Sequence, residues 1–132
     1  EALGVVGVVS KGNFLEFIDS LISVIVSGNT SVIIAADALA MPAMSFAEVL
    51  ETSDLPAGVI NILTGKIDEL APWIASHMDI DGLDISGAKK VSELKVSAAE
   101  NLKRVHSFSK VKSPARILAF MEEKTVWHTI GI

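Results

Sequence analysis

The 132-residue sequence contains no cysteine. Disulfides, thiolate nucleophiles and cysteine-ligated metal sites are therefore excluded within this chain, and the composition fits a reducing cytoplasm, where we expect the protein to reside. The formal net charge is −5, and no basic cluster interrupts the acidic balance. A surface that binds nucleic acid needs concentrated positive charge, so we predict no nucleic-acid partner.

Long uninterrupted apolar runs are also absent, although half of the residues are hydrophobic and the mean hydropathy is +0.50. Glu16, Asp19 and then the tetrapeptide SGNT (residues 27–30) interrupt the most apolar stretch. Because a membrane-spanning helix needs about twenty apolar residues, we predict no membrane partner. We expect instead a sheet buried on both faces, together with apolar surface for contacts between chains.

Short runs rich in β-branched residues alternate with helical patterns. The predicted strands cover residues 4–10, 31–36, 58–65, 82–86, 104–109 and 124–130. Apolar residues recur at helical spacing over 14–25, 42–52 and 89–102. Gly28 and Asn29 should stop the first helix. Residues 66–77 are less regular, because Pro72 can only open a short helix or kink a longer one. The alternation predicts an α/β fold with an open, mostly parallel sheet flanked by helices.

The motifs of familiar active sites are missing. No G-x-G-x-x-G fingerprint occurs, so an ordinary dinucleotide site is not indicated. His77, His106 and His128 lack the spacing of metal ligands, and we expect ordinary surface or strand histidines. The residues alone therefore predict a scaffold without indicating its chemistry.

Five segments, in order along the chain, resemble the cofactor-binding part of the aldehyde dehydrogenase superfamily. They are GVVGVVSKGNF (4–14), SGNTSVIIAAD (27–37), DLPAGVINILTG (54–65), SHMDIDGLDISGAKKV (76–91) and NLKRVHSFSKVKSP (101–114). The resemblance implies a Rossmann-like sheet in a degenerate nucleotide-binding domain over residues 1–119.

The C-terminal segment FMEEKTVWHTI (120–130) resembles the tail of the same superfamily, a strand that extends a sheet in a neighbouring subunit. We therefore expect a C-terminal tail strand within residues 120–132, in the same domain or in an oligomer contact. The family's catalytic domain would normally lie between this tail and the preceding segment. Its absence leads us to expect part of a longer polypeptide.

The resemblance also implies lost chemistry. The family's general-base glutamate corresponds to Phe108, which cannot accept a proton. Its ribose-binding lysine corresponds to Ile34, and its paired glycines correspond to Lys110 and Val111, whose Cβ atoms would close the gap to a cofactor. We therefore expect no catalytic residue in this chain.

Five residues still match family positions around the cofactor and are candidate vestigial binding residues. They are Ser10, Asn13, Asp37, Ser86 and Gly87. Asn13 corresponds to the family's oxyanion-hole asparagine, and Asp37 to the acid beside the ribose-binding lysine. Alternatively, Asn13, Asp37 and Ser86 are turn and cap residues that preserve only the fold.

Two functional hypotheses follow. The first is a non-catalytic structural or oligomerisation module that needs no cofactor and contacts a second copy, or an aldehyde dehydrogenase domain, through its tail. The alternative is an NAD- or NADP-binding module, or a subunit that completes an active site in trans, with Lys89 and Lys90 beside a phosphate. Aldehyde oxidation by this chain alone is not expected, because it has no activated nucleophile.

Overall fold

One parallel sheet organises the chain. A computed structural model describes residues 1–109 and 114–131. Its strands are β1 (Val5–Val9), β2 (Thr30–Ala35), β3 (Ile60–Thr64), β4 (Gly82–Asp84) and β5 (Arg104–His106). They lie in the order β3-β2-β1-β4-β5, and every neighbouring pair is parallel. The predicted α/β class and parallel sheet are confirmed.

Helices cover both faces of the sheet. They are α1 (Phe14–Val26), α2 (Ala40–Glu51), α3 (Ile67–Ser76), α4 (Val91–Ala99) and α5 (Ala115–Leu118), with a 3₁₀ turn at Asp37–Leu39. The apolar side chains of α1 and α2 belong to the core on one face, whereas those of α3 and α4 belong to the core on the other. α5 contacts α1 on the first face. Among the described residues, no helix is long and apolar enough to cross a membrane.

The strand sequences explain why the sheet lies in the middle. Val6 and Val8 are fully buried on the α1 face, and Val9 and Ile34 are fully buried on the α3 face. Side chains alternate between the two faces of a strand, so a run such as VVGVV supplies apolar groups to both layers at once. This is the near-continuous apolar pattern on which the prediction of a doubly covered sheet depended.

The end of α1 follows the predicted stop signal. Gly28 has a φ of +85°, a left-handed conformation that glycine adopts without strain. The buried Asn29 side chain then joins two distant parts of the chain. Its Oδ1 accepts a hydrogen bond from the Gly4 amide at 2.7 Å, and its Nδ2 donates to the Phe120 carbonyl at 2.7 Å. The same residue therefore helps to end a helix and fixes the C-terminal segment.

Two helices differ in detail from their predictions. α3 continues through Pro72, which deprives the Asp68 carbonyl of its usual helical donor. Asp68 is exposed, so water can replace that donor. α4 is shorter than the predicted range 89–102, because the chain turns at Leu102, where φ is +58°.

The predicted tail strand over residues 124–130 does not form in the single chain and stays a prediction for an oligomer contact. An isolated antiparallel bridge joins Ala2 to Met121, after which residues 122–131 are exposed and form no strand. Val126, Trp127 and Ile130 are 59%, 91% and 89% exposed. A strand needs hydrogen-bonding partners on a neighbouring edge, and in the described structure the tail does not reach one.

Candidate functional site at the carboxyl end of the sheet

The carboxyl ends of β1 and β4 form the obvious place for a ligand. The chain leaves β1 towards β2 on one side, whereas β4 lies on the other side. In open parallel sheets, ligands bind where the strand order reverses in this way. Ser10 follows β1, and Ser86 and Gly87 follow β4, so the structure brings three of the five predicted residues to this place.

The loops that carry Ser10 and Gly87 are packed directly against each other. The Gly87 amide donates to the Val9 carbonyl at 2.9 Å, and a Cβ added at Gly87 would lie 2.0 Å from the Ser10 carbonyl oxygen. Ser10 is fully buried, and its Oγ donates to the Ile34 carbonyl at 2.7 Å. Glycine is required at residue 87, and the contact leaves no space for a ligand between these two backbones.

Asn13 and Asp37 lie apart from that contact. Asn13 caps α1: its Oδ1 accepts from the Glu16 amide at 2.9 Å, and its Nδ2 donates to the Glu16 carboxylate at 2.7 Å. Asn13 therefore satisfies one free amide at the helix N-terminus, and the second bond holds its side chain in place. Asp37 is exposed in the 3₁₀ turn after β2. The cofactor-binding role of these residues stays a prediction.

A buried ion pair, which sequence reasoning missed, lies beside Ser86. Asp84 is fully buried at the end of β4, and one of its carboxylate oxygens accepts from both the amide and the hydroxyl of Ser86. The other oxygen accepts from Nη2 of Arg116 at 2.6 Å. Arg116 is only 7% exposed. The two charges therefore neutralise each other in the protein interior.

The Arg116 guanidinium has further partners on α1. Nη2 donates to the Ser20 hydroxyl at 2.6 Å, and Nη1 lies 3.3 Å from the Asp19 carboxylate. The guanidinium carbon also lies 5.0 Å from the centre of the Phe108 ring, within the range of a cation–π contact. Arg116 thus connects α5 to α1, to β4 and to the segment after β5.

One feature of the sequence could have identified Asp84 as a member of a buried ion pair. Asp84 stands between Leu83 and Ile85 in a strand predicted to be buried on both faces. A carboxylate in such a strand requires a charged or hydrogen-bonding partner. The partner could not be identified, because Arg116 is 32 residues away and its segment has no helical periodicity of useful length.

Phe108, at the family's general-base position, lies in an aromatic cluster. His106 stacks on it with ring centres 5.8 Å apart, and Phe120 meets the two rings edge-on at 5.4 and 6.3 Å. Desolvation lowers the pKa of His106 below its ordinary value, against the opposing attraction of Asp84 and with a smaller contribution from Arg104. Burial therefore favours the neutral imidazole. The predicted replacements Lys110 and Val111 lie outside the described residues.

Two hollows lie away from this cluster. One, of about 210 Å³, is beside the edge strand β3 and is lined by residues of α2, of the α2–β3 connection and of β3 itself. The other, of about 100 Å³, lies between α3 and α4, with Lys89 and Lys90 at its rim. Within residues 1–109 and 114–131, no group of three His, Asp or Glu side chains could hold a metal ion.

The parallel sheet and the loops at its switch point define a Rossmann-like scaffold. The sequence profile of the aldehyde dehydrogenase family matches residues 1–130. The chain belongs to that family.

Its relatives are much longer than the chain. Aldehyde dehydrogenase family 2 member C4 of Arabidopsis thaliana is 33% identical, over 89% of this chain and 24% of its own length. Aldehyde dehydrogenase [NAD(P)+] 1 of Saccharomyces cerevisiae is 34% identical, over 80% and 22%. A crystal structure of aldehyde dehydrogenase from Bartonella henselae superposes with a TM-score of 0.72 and 28% identity, covering 80% of this chain and 23% of that one. The chain thus spans about a quarter of the relatives that it matches.

Replacing Arg116 with Met should destabilise the fold by about 3 kcal/mol, because it leaves the Asp84 carboxylate buried without its cation. Urea unfolding followed by circular dichroism measures the loss. Adding Asp84→Asn should recover part of the stability, since the amide oxygen can still accept from Ser86. Simply additive losses would show that the two charges do not depend on each other.

Stability should fall with acidification in a way that depends on His106. The folded-state pKa lies below the unfolded value of about 6.5, so the unfolded chain takes up this proton first. The contribution of His106 is fully present above about pH 6.5 and is lost as the pH falls through the folded-state pKa. Urea unfolding of His106→Gln between pH 7.5 and 5 should give a shallower slope than that of the original chain.

The matched control is His128→Gln, which removes a histidine from the exposed tail, away from the cluster. An unchanged slope in His106→Gln would contradict the role assigned to the half-buried imidazole of His106.

Proposed function

We propose that this chain is a non-catalytic structural and oligomerisation module of aldehyde dehydrogenase ancestry, and part of a longer aldehyde dehydrogenase-related polypeptide. The observation that carries the proposal is the environment of Phe108. At the position where the resemblance expects a base, a phenyl ring is packed between His106 and Phe120 and under the Arg116 guanidinium. A phenyl ring at that position cannot accept a proton.

Other features support the same conclusion. Ile34, at the position of the family's ribose-binding lysine, is a fully buried member of the apolar core. The sequence also contains no cysteine that could act as a nucleophile. The residues that would carry chemistry have thus become residues that stabilise the scaffold. The cytoplasmic location stays a prediction.

The tail supports a role in protein contacts. Residues 1–119 would form the scaffold, and residues 120–132 would provide the contact. Trp127 and Ile130 are almost completely exposed in the single chain, which is costly for groups of this size. A second copy of the chain, or an aldehyde dehydrogenase domain, would bury them. Self-association is the simplest arrangement, since it needs no further component.

The tail should therefore control the assembly state. In sedimentation velocity, the complete chain should form a dimer or larger species, whereas a chain ending at residue 123 should be a monomer with an unchanged circular dichroism spectrum. That truncation removes Val126, Trp127 and Ile130 but keeps the Arg104–Glu122 ion pair. A complete chain that stays monomeric at all concentrations would contradict self-association.

A second candidate function rests on the hollow between α3 and α4. It opens beside Lys89 and Lys90 at the start of α4, and both lysines could attract a phosphate. Asp37 is exposed after β2 and could bond a ribose hydroxyl. The yeast relative is named for NAD(P)+. On this alternative, the chain binds NAD or NADP and contributes to an oxidoreductase site in trans.

Calorimetric titration separates the two functions. For the structural module, we expect flat heats with NAD and NADP in both oxidation states, because Ser10 and Gly87 already fill the switch point. Saturable binding tighter than about millimolar, lost in Lys89→Glu/Lys90→Glu, would contradict that expectation and favour the alternative. Binding that survives the double substitution would contradict the hollow as its location.

A further inference from the structure

We propose that residues 124–130 of a second copy of this chain dock as an added strand along the outer edge of β3, with Trp127 in the hollow beside it. The inference rests on the proposed self-association through the tail and specifies the surface that receives it. Its evidence comes from three features of the described chain: an unpaired strand edge, an adjoining hollow, and a tail with complementary side chains and charge.

The outer edge of β3 has main-chain groups available for pairing. The Val59 carbonyl accepts from the Ser31 amide of β2. Because alternate residues of a strand direct their main-chain groups to opposite sides, those of Ile60, Ile62 and Thr64 point away from β2. β3 ends the sheet on this side, and no described strand pairs with its outer edge. An extended peptide could therefore add to it by β-augmentation.

The hollow lies on the α2 side of that edge. Met44, Leu50, Leu55, Ile60 and Ile62 supply most of its apolar lining, and its volume is about 210 Å³. That volume exceeds the roughly 150 Å³ of an engineered protein cavity that binds benzene, so it is large enough to receive an aromatic side chain. A strand lying along β3 would direct every second side chain into this space.

The tail has the side chains that such a site requires. In an extended conformation Trp127 lies on one side, with Thr125 and Thr129, while Val126 and Ile130 lie on the other. Trp127 would enter the hollow. Val126 and Ile130 would then face the opposite side of the sheet, where Leu63 is 39% exposed. Both faces of the added strand would therefore contact apolar surface.

Charge favours the same pairing. Residues 30–65 contain the four acids Asp37, Glu48, Glu51 and Asp54 and no Lys, Arg or His, and the next residue, Lys66, is already paired with Glu69. Glu51 lies at the hollow itself. Residues 124–130 contain Lys124 and His128 and no acid. An acidic edge and a basic strand attract each other and align the two chains as they meet.

A second copy is the occupant because the chain's own tail lies elsewhere. The Glu122 amide donates to the Glu1 carbonyl, and Lys124 forms an ion pair with Glu1. The tail therefore leaves beside β1, with β2 between it and the β3 edge. Two copies that exchange tails make the same contact twice, which produces a closed dimer.

Engineered cysteines test the contact directly, because the chain has no cysteine of its own. Ala57 lines the hollow, and Thr129 is an exposed residue on the Trp127 side of the tail. When the single variants Ala57→Cys and Thr129→Cys are mixed and oxidised mildly, we expect a disulfide-linked species of twice the monomer mass. Ala99→Cys, an exposed position on α4, is the matched control and should not cross-link with Thr129→Cys.

Sedimentation equilibrium provides the energetic test. Trp127→Ser should weaken the dimer by more than about tenfold, as the loss of an aromatic anchor does. Trp73→Ser removes the same type of side chain, 75% exposed on α3, and should change the dimer dissociation constant by less than about twofold. Ala47→Phe, which fills the hollow from α2, should weaken the dimer as Trp127→Ser does.

The outcomes separate the two proposals. A dimer that needs Trp127 but tolerates Ala47→Phe, with no cross-link between residues 57 and 129, would overturn the β3 site and leave tail-mediated association intact. A complete chain that is monomeric would overturn both. A cross-link that forms only within the double variant Ala57→Cys/Thr129→Cys, and never between mixed single variants, would place the chain's own tail in the hollow and overturn the exchange.

Discussion

The ion pair between Asp84 and Arg116 holds the C-terminal part of the chain against the sheet. α1 and α2 pack over β1, β2 and β3, so the same face of β4 and β5 needs another cover. α5 has only four residues, too few to fold by its own propensity. Arg116 fixes it from one end, and beyond it Phe120 packs on β4, where a Cβ at Gly82 would meet its ring at 3.0 Å.

The same ion pair explains why an aromatic side chain occupies residue 108, the family's general-base position. A buried carboxylate and guanidinium depend on further hydrogen bonds to the atoms that the ion pair itself leaves free. Ser86 bonds the Asp84 carboxylate, Ser20 bonds Nη2 of Arg116, and Phe108 supplies an aromatic surface for the cation. The buried Nε of Arg116 has no hydrogen-bond partner in the described part of the chain. An acid at residue 108 would bring another negative charge into this cluster. An aromatic side chain at residue 108 therefore helps to hold α5 against the sheet, but it cannot serve as a catalytic base.

Much of the fold could be predicted because its signals are local. The run VVGVV indicates a buried strand and Gly28 indicates a helix end, each from its own residues. The order of the strands in the sheet was not predicted and came from the structure. The Asp84–Arg116 pair could not be predicted, since its members meet only after the sheet has formed. Composition alone could not decide the conformation of the tail. Residues 124–130 have the composition of a strand, but a strand forms only where a neighbouring edge supplies hydrogen-bonding partners. Ser10 and Gly87 were found through a resemblance, and their contact became visible only in the fold.

The two edges of the sheet differ in how well they are protected. β5 is three residues long, and the ion pair of Arg104 with Glu122 lies beside it. Short strands and charged side chains are the usual protection against edge pairing. β3 is longer and has a hollow at its side, and the nearest basic residue in sequence, Lys66, forms an ion pair with Glu69. An edge of this kind invites another strand. The chain also has an extended segment whose Trp127 is 91% exposed. If residues 124–130 of a second copy paired with the outer edge of β3, main-chain groups of β3 would gain hydrogen-bonding partners and Trp127 would be removed from water. Association would then follow from the unpaired edge of the sheet.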